Sequence, residues 1–196
     1  MLTKTQKHSY TLEEYRQLEE TSEFRSEYRD GQIVPMTGGT INHNRIALNI
    51  CTFLKFALRG KNAEPFMSDL RLWIPRYRRG TYPDVMVIER QPVFNAGRQD
   101  EVLNPTLIVE VLSQSTENFD RENKFRFYRS IPEFREYILV DQHELLVEQY
   151  LKNEAGQWLF QEYEGDAATV SFTSLGMQML MSDIYEGVIF ESVRSQ

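Results

Sequence analysis

The sequence predicts an α/β (α+β) domain in which helices flank one mixed central β-sheet. Three observations predict it. Helical and strand-like segments interleave within one chain. The longest helical segment, residues 40–59, is followed by strand-like runs rather than by a second helix. Residues 106–112 form a short, nearly continuous apolar run, Thr-Leu-Ile-Val-Glu-Val-Leu, of the kind found in a central strand covered on both faces. At 196 residues the length suits a single domain. We place it over residues 10–190, after a polar, flexible segment at residues 1–9.

The elements follow in order. Thr11 caps a first helix over residues 12–20, and Glu14 three positions on completes a capping box. Residues 24–29 and 32–36 read as two strands around Asp30-Gly31, a hairpin signal, with Pro35 ending the second or lying on an edge. In residues 40–59, His43, Ile46, Ala47, Ile50, Leu54 and Ala57 share one helical face, and Gly60 stops the helix. Residues 65–74 and 82–88 read as strands, with the basic turn Arg76-Tyr77-Arg78-Arg79-Gly80 between them, and residues 91–104 as a polar loop. A further helix starts near Glu117 or Asp120 and ends before Pro132, with Ser113, Ser115 and Thr116 as caps. Residues 136–141 form a strand, and 145–151 with 158–163 a hairpin. The tail from 170 to 190 is a β extension with a short helix near 182–185.

Composition narrows the function. The 41% hydrophobic and 26% charged content is that of a globular protein rather than a disordered one. A net charge of -7 argues against coating nucleic acid through bulk positive charge, though not against a local basic groove or a site that recruits cations first. Cys51 alone builds neither an internal disulfide nor a cysteine zinc site. The apolar runs are too short for a transmembrane helix, and residues 1–11 lack a signal-peptide apolar region, so a cytoplasmic protein without membrane contact is expected.

Three residues break local rules together. Asp84 lies in the strand-like run at 82–88, Glu110 in the most apolar run, and Lys124 on the inner stripe of the next helix. That stripe is Asp120, Lys124, Phe127, Tyr128 and Ile131, spaced i, i+4, i+7, i+8 and i+11. Buried carboxylates need a partner or a metal. Mg²⁺ is commonly held by one or two carboxylates together with substrate phosphate, and a nearby lysine can orient water or stabilise phosphate charge.

Pro83-Asp84 followed by Glu110 in an apolar strand resembles the PD-(D/E)xK motif of restriction-endonuclease-like nucleases. The lysine that motif places two residues after the glutamate is Leu112 here. The text from Ile108 to Thr116, followed by Asp120, Lys124 and Tyr128, is similar to a bacterial restriction-endonuclease branch, formerly a domain of unknown function. In that branch the lysine has moved to the following helix, where Lys124 stands. Tyr10 to Tyr15, the hairpin from Glu27 to Met36 and the helix after His43 match it as well. The resemblance implies a restriction-endonuclease-like core, Mg²⁺ (or Mn²⁺) on Asp84 and Glu110, hydrolysis of DNA phosphodiesters assisted by Lys124, and a homodimer.

Other readings stand beside these. Asp84 could bind backbone amides, Glu110 could pair with a buried arginine, and Lys124 could pair with Asp120 one turn back. Glu27, His43, Asp69 and Asp120 are candidates to line the site. Glu27 could instead pair with an arginine, and His43 could be a core or capping histidine. Arg76, Arg78, Arg79 and Arg121 are candidates for DNA contact, against a solvated basic face. A catalytically idle nuclease fold acting as a dimeric binding module, and a hydrolase of another phosphate ester, are the alternative functions.

Overall fold

The computed structural model describes residues 8–36, 38–114 and 116–190. Helix α1 (Leu12–Thr21) starts at Thr11, whose hydroxyl accepts from the Glu14 N–H while the Glu14 carboxylate accepts from the Thr11 N–H, the expected capping box. Strands β1 (Ser26–Arg29) and β2 (Gln32–Pro35) form the expected hairpin. Asp30 and Gly31 both take positive φ, 45° and 91°, which is why a two-residue turn with glycine second fits there. Helix α2 (Ile41–Ala57) is capped by Thr40 and turns Ile46, Ala47, Ile50 and Leu54 inward, as the spacing predicts.

The run at 65–74 is not one strand. It divides into β3 (Ala63–Met67) and β4 (Arg71–Ile74), which join different sheets. Pro65 has no N–H to donate and sits accordingly in β3, an edge strand. The basic turn likewise resolves into a 3₁₀ turn (Pro75–Tyr77) and strand β5 (Arg79–Thr81). Strand β6 (Val85–Glu89) begins one residue after Asp84, so the aspartate precedes the strand instead of lying inside it. The polar loop contains a two-residue strand β7 (Glu101–Val102), parallel to β4. The buried Arg71 Nε and Glu101 Oε2, 2.9 Å apart, hold it there.

Strand β8 (Leu107–Leu112) is buried along its whole length, as the apolar run predicts. It lies between antiparallel β6 and parallel β9 (Glu136–Asp141). With β10 (Leu146–Lys152) and β11 (Trp158–Glu164) they form a mixed six-stranded sheet, ordered β11-β10-β9-β8-β6-β3. A second, five-stranded sheet runs β2-β1-β5-β4-β7, so two main sheets replace the single one expected. Strands β12 (Thr169–Phe172) and β13 (Met177–Leu180) and helix α4 (Met181–Ile184) form the C-terminal extension.

One face of the six-stranded sheet packs Val85, Val87, Val109 and Val111 against α2 and the C-terminal extension. The other packs Met86, Ile88, Ile108 and Leu112 against Phe127, Tyr128 and Ile131, and against Leu72 and Ile74 of the second sheet. The helix after β8 differs from the even α-helix expected: a π-helical turn (Phe119–Lys124) leads into α3 (Phe125–Tyr128). Asn118, just before the π-helical turn, makes no side-chain cap hydrogen bond. The Glu117 N–H bonds the Ser113 carbonyl, and Ser113 Oγ lies 2.8 Å from Thr116 Oγ1. Ser115 lies outside the described residues.

Candidate active-site cleft

The candidate residues meet where β6 and β8 end near α2 and the π-helical turn. Val85 pairs with Val109 and Met86 with Ile108, so the same register one step further sets Asp84 opposite Glu110. Directly opposed residues in an antiparallel pair hold their Cβ atoms roughly 4.5–5.5 Å apart. Asp84 Oδ2 accepts the Val111 N–H at 2.8 Å and lies 3.1 Å from His43 Nε2. His43 occupies the first turn of α2, and a Cβ on Gly39 would fall 2.8 Å from its Nδ1, so a glycine there lets the ring lie back toward Asp84.

Glu110 is 2% exposed in the middle of β8. Its Oε1 accepts the Tyr128 hydroxyl at 2.6 Å and lies 3.0 Å from Lys124 Nζ. The ammonium also lies 2.9 Å from Asp120 Oδ1. Lys124 thus pairs with Asp120 one turn back, as the alternative reading has it, and also faces Glu110. The π-helical turn keeps Asp120 and Lys124 on the buried side, as the stripe predicts.

The electrostatics follow from one ammonium serving several carboxylates. Burial pushes the Glu110 carboxyl up to about 8; Lys124 opposes this, while Asp84 and Asp120 add to it. Burial by itself would lower the Lys124 ammonium, but Glu110, Asp120 and Glu27 outweigh that and hold it well above its ordinary value. Lys124 is thus a retained cation, and Glu110 is the carboxylate short of a counter-charge. For His43, burial disfavours the charged ring, but Asp84 more than offsets it and raises the imidazole above its ordinary value.

These residues line a cleft of about 670 Å³. Glu27 reaches it from β1, where alternation turns Ser26 and Tyr28 into the core and Glu27 the other way. Its carboxylate takes the Thr81 hydroxyl and two bonds from Arg29 at 3.0 and 2.8 Å. Burial works to raise Glu27, yet Lys124, Thr81 and Arg29 together hold it below its ordinary value.

Asp69 does not join the site. It sits in the turn between β3 and β4, 91% exposed at its side chain and 3.6 Å from Arg25. Arg78 pairs with Asp30 at 2.9 Å, and Arg121 with Glu148 at 2.9 Å and Glu117 at 3.3 Å. Arg76 lies over the Tyr77 ring, and Arg79 is half-buried over Phe127 and Phe119. Arg71, close by in sequence, is buried and paired with Glu101. Three further cleft residues, Arg29, Gln142 and His143, and Tyr128 behind Glu110 carry weaker signals. Arg29 is legible in retrospect, being two positions from Glu27 on one strand. Tyr128 stood in the helical stripe as a core residue. Gln142 and His143 follow β9 with no local signal; Gln142 Nε2 bonds the Leu112 carbonyl at 2.6 Å and its Oε1 takes the Thr40 hydroxyl.

The donor set suits a hard cation of open coordination. The contacts of Asp84 run through Oδ2 and those of Glu110 through Oε1, so among the described residues Oδ1 and Oε2 are uncommitted. Two carboxylates are what Mg²⁺ commonly takes from a protein, keeping water and phosphate for its other positions. Among the described residues no group of three or more His, Cys, Asp or Glu is placed to hold a metal ion, so the candidate donors are these two carboxylates alone.

The chain is similar to several known proteins. Residues 12–182 match the model of the Uma2 family, described as "Putative restriction endonuclease". An uncharacterized protein of Synechocystis sp., sll1609, is 44% identical over 163 residues, 83% of this chain and 92% of that protein. A second from the same organism, slr1290, is 37% identical over 178 residues, 91% of this chain and 92% of its own length. The fold is similar to the crystal structure of "a putative nuclease belonging to DUF820" from Anabaena variabilis. The TM-score is 0.74 and the identity 19%, covering 92% of this chain and 99% of that one, a likeness of fold.

Proposed function

The chain belongs to the Uma2 family, and from that premise we propose that it is a divalent-metal-dependent endonuclease that hydrolyses DNA phosphodiester bonds. The observation that carries the reading is the convergence of Asp84, Glu110 and the buried Lys124 ammonium on one cleft. Asp84 Oδ1 and Glu110 Oε2 would hold Mg²⁺ or Mn²⁺, which when bound stabilises phosphate charge and makes water more acidic. The chain's own residues do the rest. The Val111 N–H and His43 orient the Asp84 carboxylate through its other oxygen. The Tyr128 hydroxyl and Lys124 orient Glu110 in the same way. Against burial, Glu110, Asp120 and Glu27 hold the Lys124 ammonium above its ordinary value, so it serves as a hydrogen-bond donor and positive charge toward water or phosphate.

The test is nicking of supercoiled plasmid in Mg²⁺ or Mn²⁺. Wild type nicks, while Asp84→Ala and Lys124→Ala each lose about 10²-fold or more. Equal activity in all three proteins would overturn the mechanism. A second reading, an idle nuclease fold that only binds, has one observation in its favour: Leu112, where the motif's usual lysine would stand, is buried in the core and does no chemistry. Calorimetric titration with Mn²⁺ separates the two, since an idle site shows no heat that depends on Asp84 and Glu110. A homodimer is the assembly that goes with the first reading, checked by light scattering.

A further inference from the structure

Arg29 and Arg79 stand directly opposite each other in the β1–β5 pairing. Like charges at directly opposed positions destabilise a sheet. Both guanidinium groups lie over the same Phe119 ring, Arg29 at 4.6 Å and Arg79 at 5.5 Å from its centroid. Phe119 and Arg29 line the cleft that holds Asp84, Glu110 and Lys124. Arg29 is compensated by two hydrogen bonds to Glu27. Arg79, half-buried, has no hydrogen-bond or ion-pair partner among the described residues; it lies over the Phe127 ring at 4.2 Å and Phe119 at 5.5 Å, and Glu27 acts on it through its charge alone.

A half-buried guanidinium with no carboxylate bonded to it, set opposite a second guanidinium and only partly offset by the charge of Glu27, is a local conflict that an anion would relieve. Burial, and then the Arg29 charge, lower the Arg79 guanidinium below its ordinary value, the same conflict seen from the proton's side. The fork geometry of arginine matches the paired oxygens of a phosphate. Phe119 holds both side chains extended by stacking, which reduces the ordering left to do when a ligand arrives. Arg29 lines the cleft and Arg79 stands opposite it on the second sheet, just outside the cleft lining, so the pair would take a phosphate next to the one that the cluster addresses.

We infer that Arg79, with Arg29 across the β1–β5 pairing, forms a phosphate-binding subsite that holds a backbone phosphate of bound DNA beside the scissile one. The inference rests on the nuclease reading for the identity of its ligand, and its test separates the two. Binding of a fluorescein-labelled DNA duplex is followed by anisotropy in Ca²⁺ across a salt series, for wild type, Arg79→Gln, Arg79→Lys and Arg59→Gln. Arg59 stacks on Phe56 at the far end of α2 and serves as the control. Arg79→Gln weakens binding about threefold to tenfold and makes the salt slope shallower by about one. Arg79→Lys recovers part of the affinity, and Arg59→Gln changes neither quantity.

The melting temperature supplies a readout that a structural role would lower. Relief of the opposed charges offsets the lost stacking on Phe127, so the melting temperature of Arg79→Gln should stay near that of wild type; a fall of several degrees with binding unchanged would assign Arg79 to stability and overturn the subsite. Binding unaffected by Arg79→Gln, or no binding by wild type, overturns it too, even if plasmid is nicked. Arg79-dependent binding by a protein that nicks nothing upholds the subsite and defeats the nuclease reading instead.

Discussion

The Glu110 carboxyl concentrates the chemistry of the site at the scale of one residue. Its folded value of about 8 exceeds the ordinary 4.5, so the folded chain keeps a proton that the unfolded chain gives up. Between those two values unfolding releases a proton, and stability falls as pH rises. We expect the melting temperature of the metal-free protein to decline across that window more steeply in wild type than in Glu110→Gln. Added Mg²⁺, which favours the ionised carboxylate, should restore wild type most at the alkaline end. A parallel decline in both proteins would reject the assignment. Tyr128→Phe removes the hydroxyl that Glu110 Oε1 accepts. It should cost about 1–3 kcal/mol in a urea titration, because a buried acceptor loses a donor. Of these contacts the inward lysine was legible in the helical stripe, since spacing alone assigns a face. The Tyr128–Glu110 bond was not, because it joins positions 18 apart through the pairing of a strand with a helix.

Among the elements, the two-residue strand β7 shows how a polar loop becomes structure. Nothing in its period marks a strand, yet Glu101 is fully buried and meets Arg71 and Arg16. A buried carboxylate between two guanidinium groups pins the loop to β4 and α1. Glu101→Ala takes from the buried Arg71 its buried partner and leaves it Asp100 alone, 2.9 Å away, and should cost about 3 kcal/mol, read from a chemical denaturation midpoint. The π-helical turn is a second such element. Its residues carry no sequence mark that separates π from α, and it adjusts the chain so that Asp120 and Lys124 both stay inward. The capping box and the Asp30-Gly31 turn were legible because their bonds close within three or four residues.

For the whole molecule the governing quantity is the net charge of -7. Part of that acidity is gathered in the cleft as Asp84, Glu110, Asp120 and Glu27, partly offset by Lys124, Arg29 and the neighbouring Arg79. DNA approaching this face meets carboxylates unless a divalent cation is present. Binding of a DNA duplex should therefore strengthen with Mg²⁺ or Ca²⁺ and, at fixed divalent concentration, fall as NaCl is raised from low to physiological levels. Binding that is equally tight in EDTA, measured by anisotropy, would show that the cleft is not where DNA enters. Among the described residues no helix is long and apolar enough to cross a membrane.

The buried faces of α2 and β8, the tight hairpin turn and the inward lysine are all consequences of local period and turn chemistry. A residue's face and a turn's φ angles depend only on near neighbours along the chain, so they can be read without a fold. The division into two sheets, the opposition of Asp84 to Glu110, the exclusion of Asp69 and the facing pair Arg29 and Arg79 depend on which distant strands come to lie side by side. That choice is made by the burial of whole faces against one another, an energy summed over many residues and written in no single segment. The residues of the cleft could be nominated one by one; only the packing of the β8 sheet against its neighbours brought them to a common point and left Asp69 outside it.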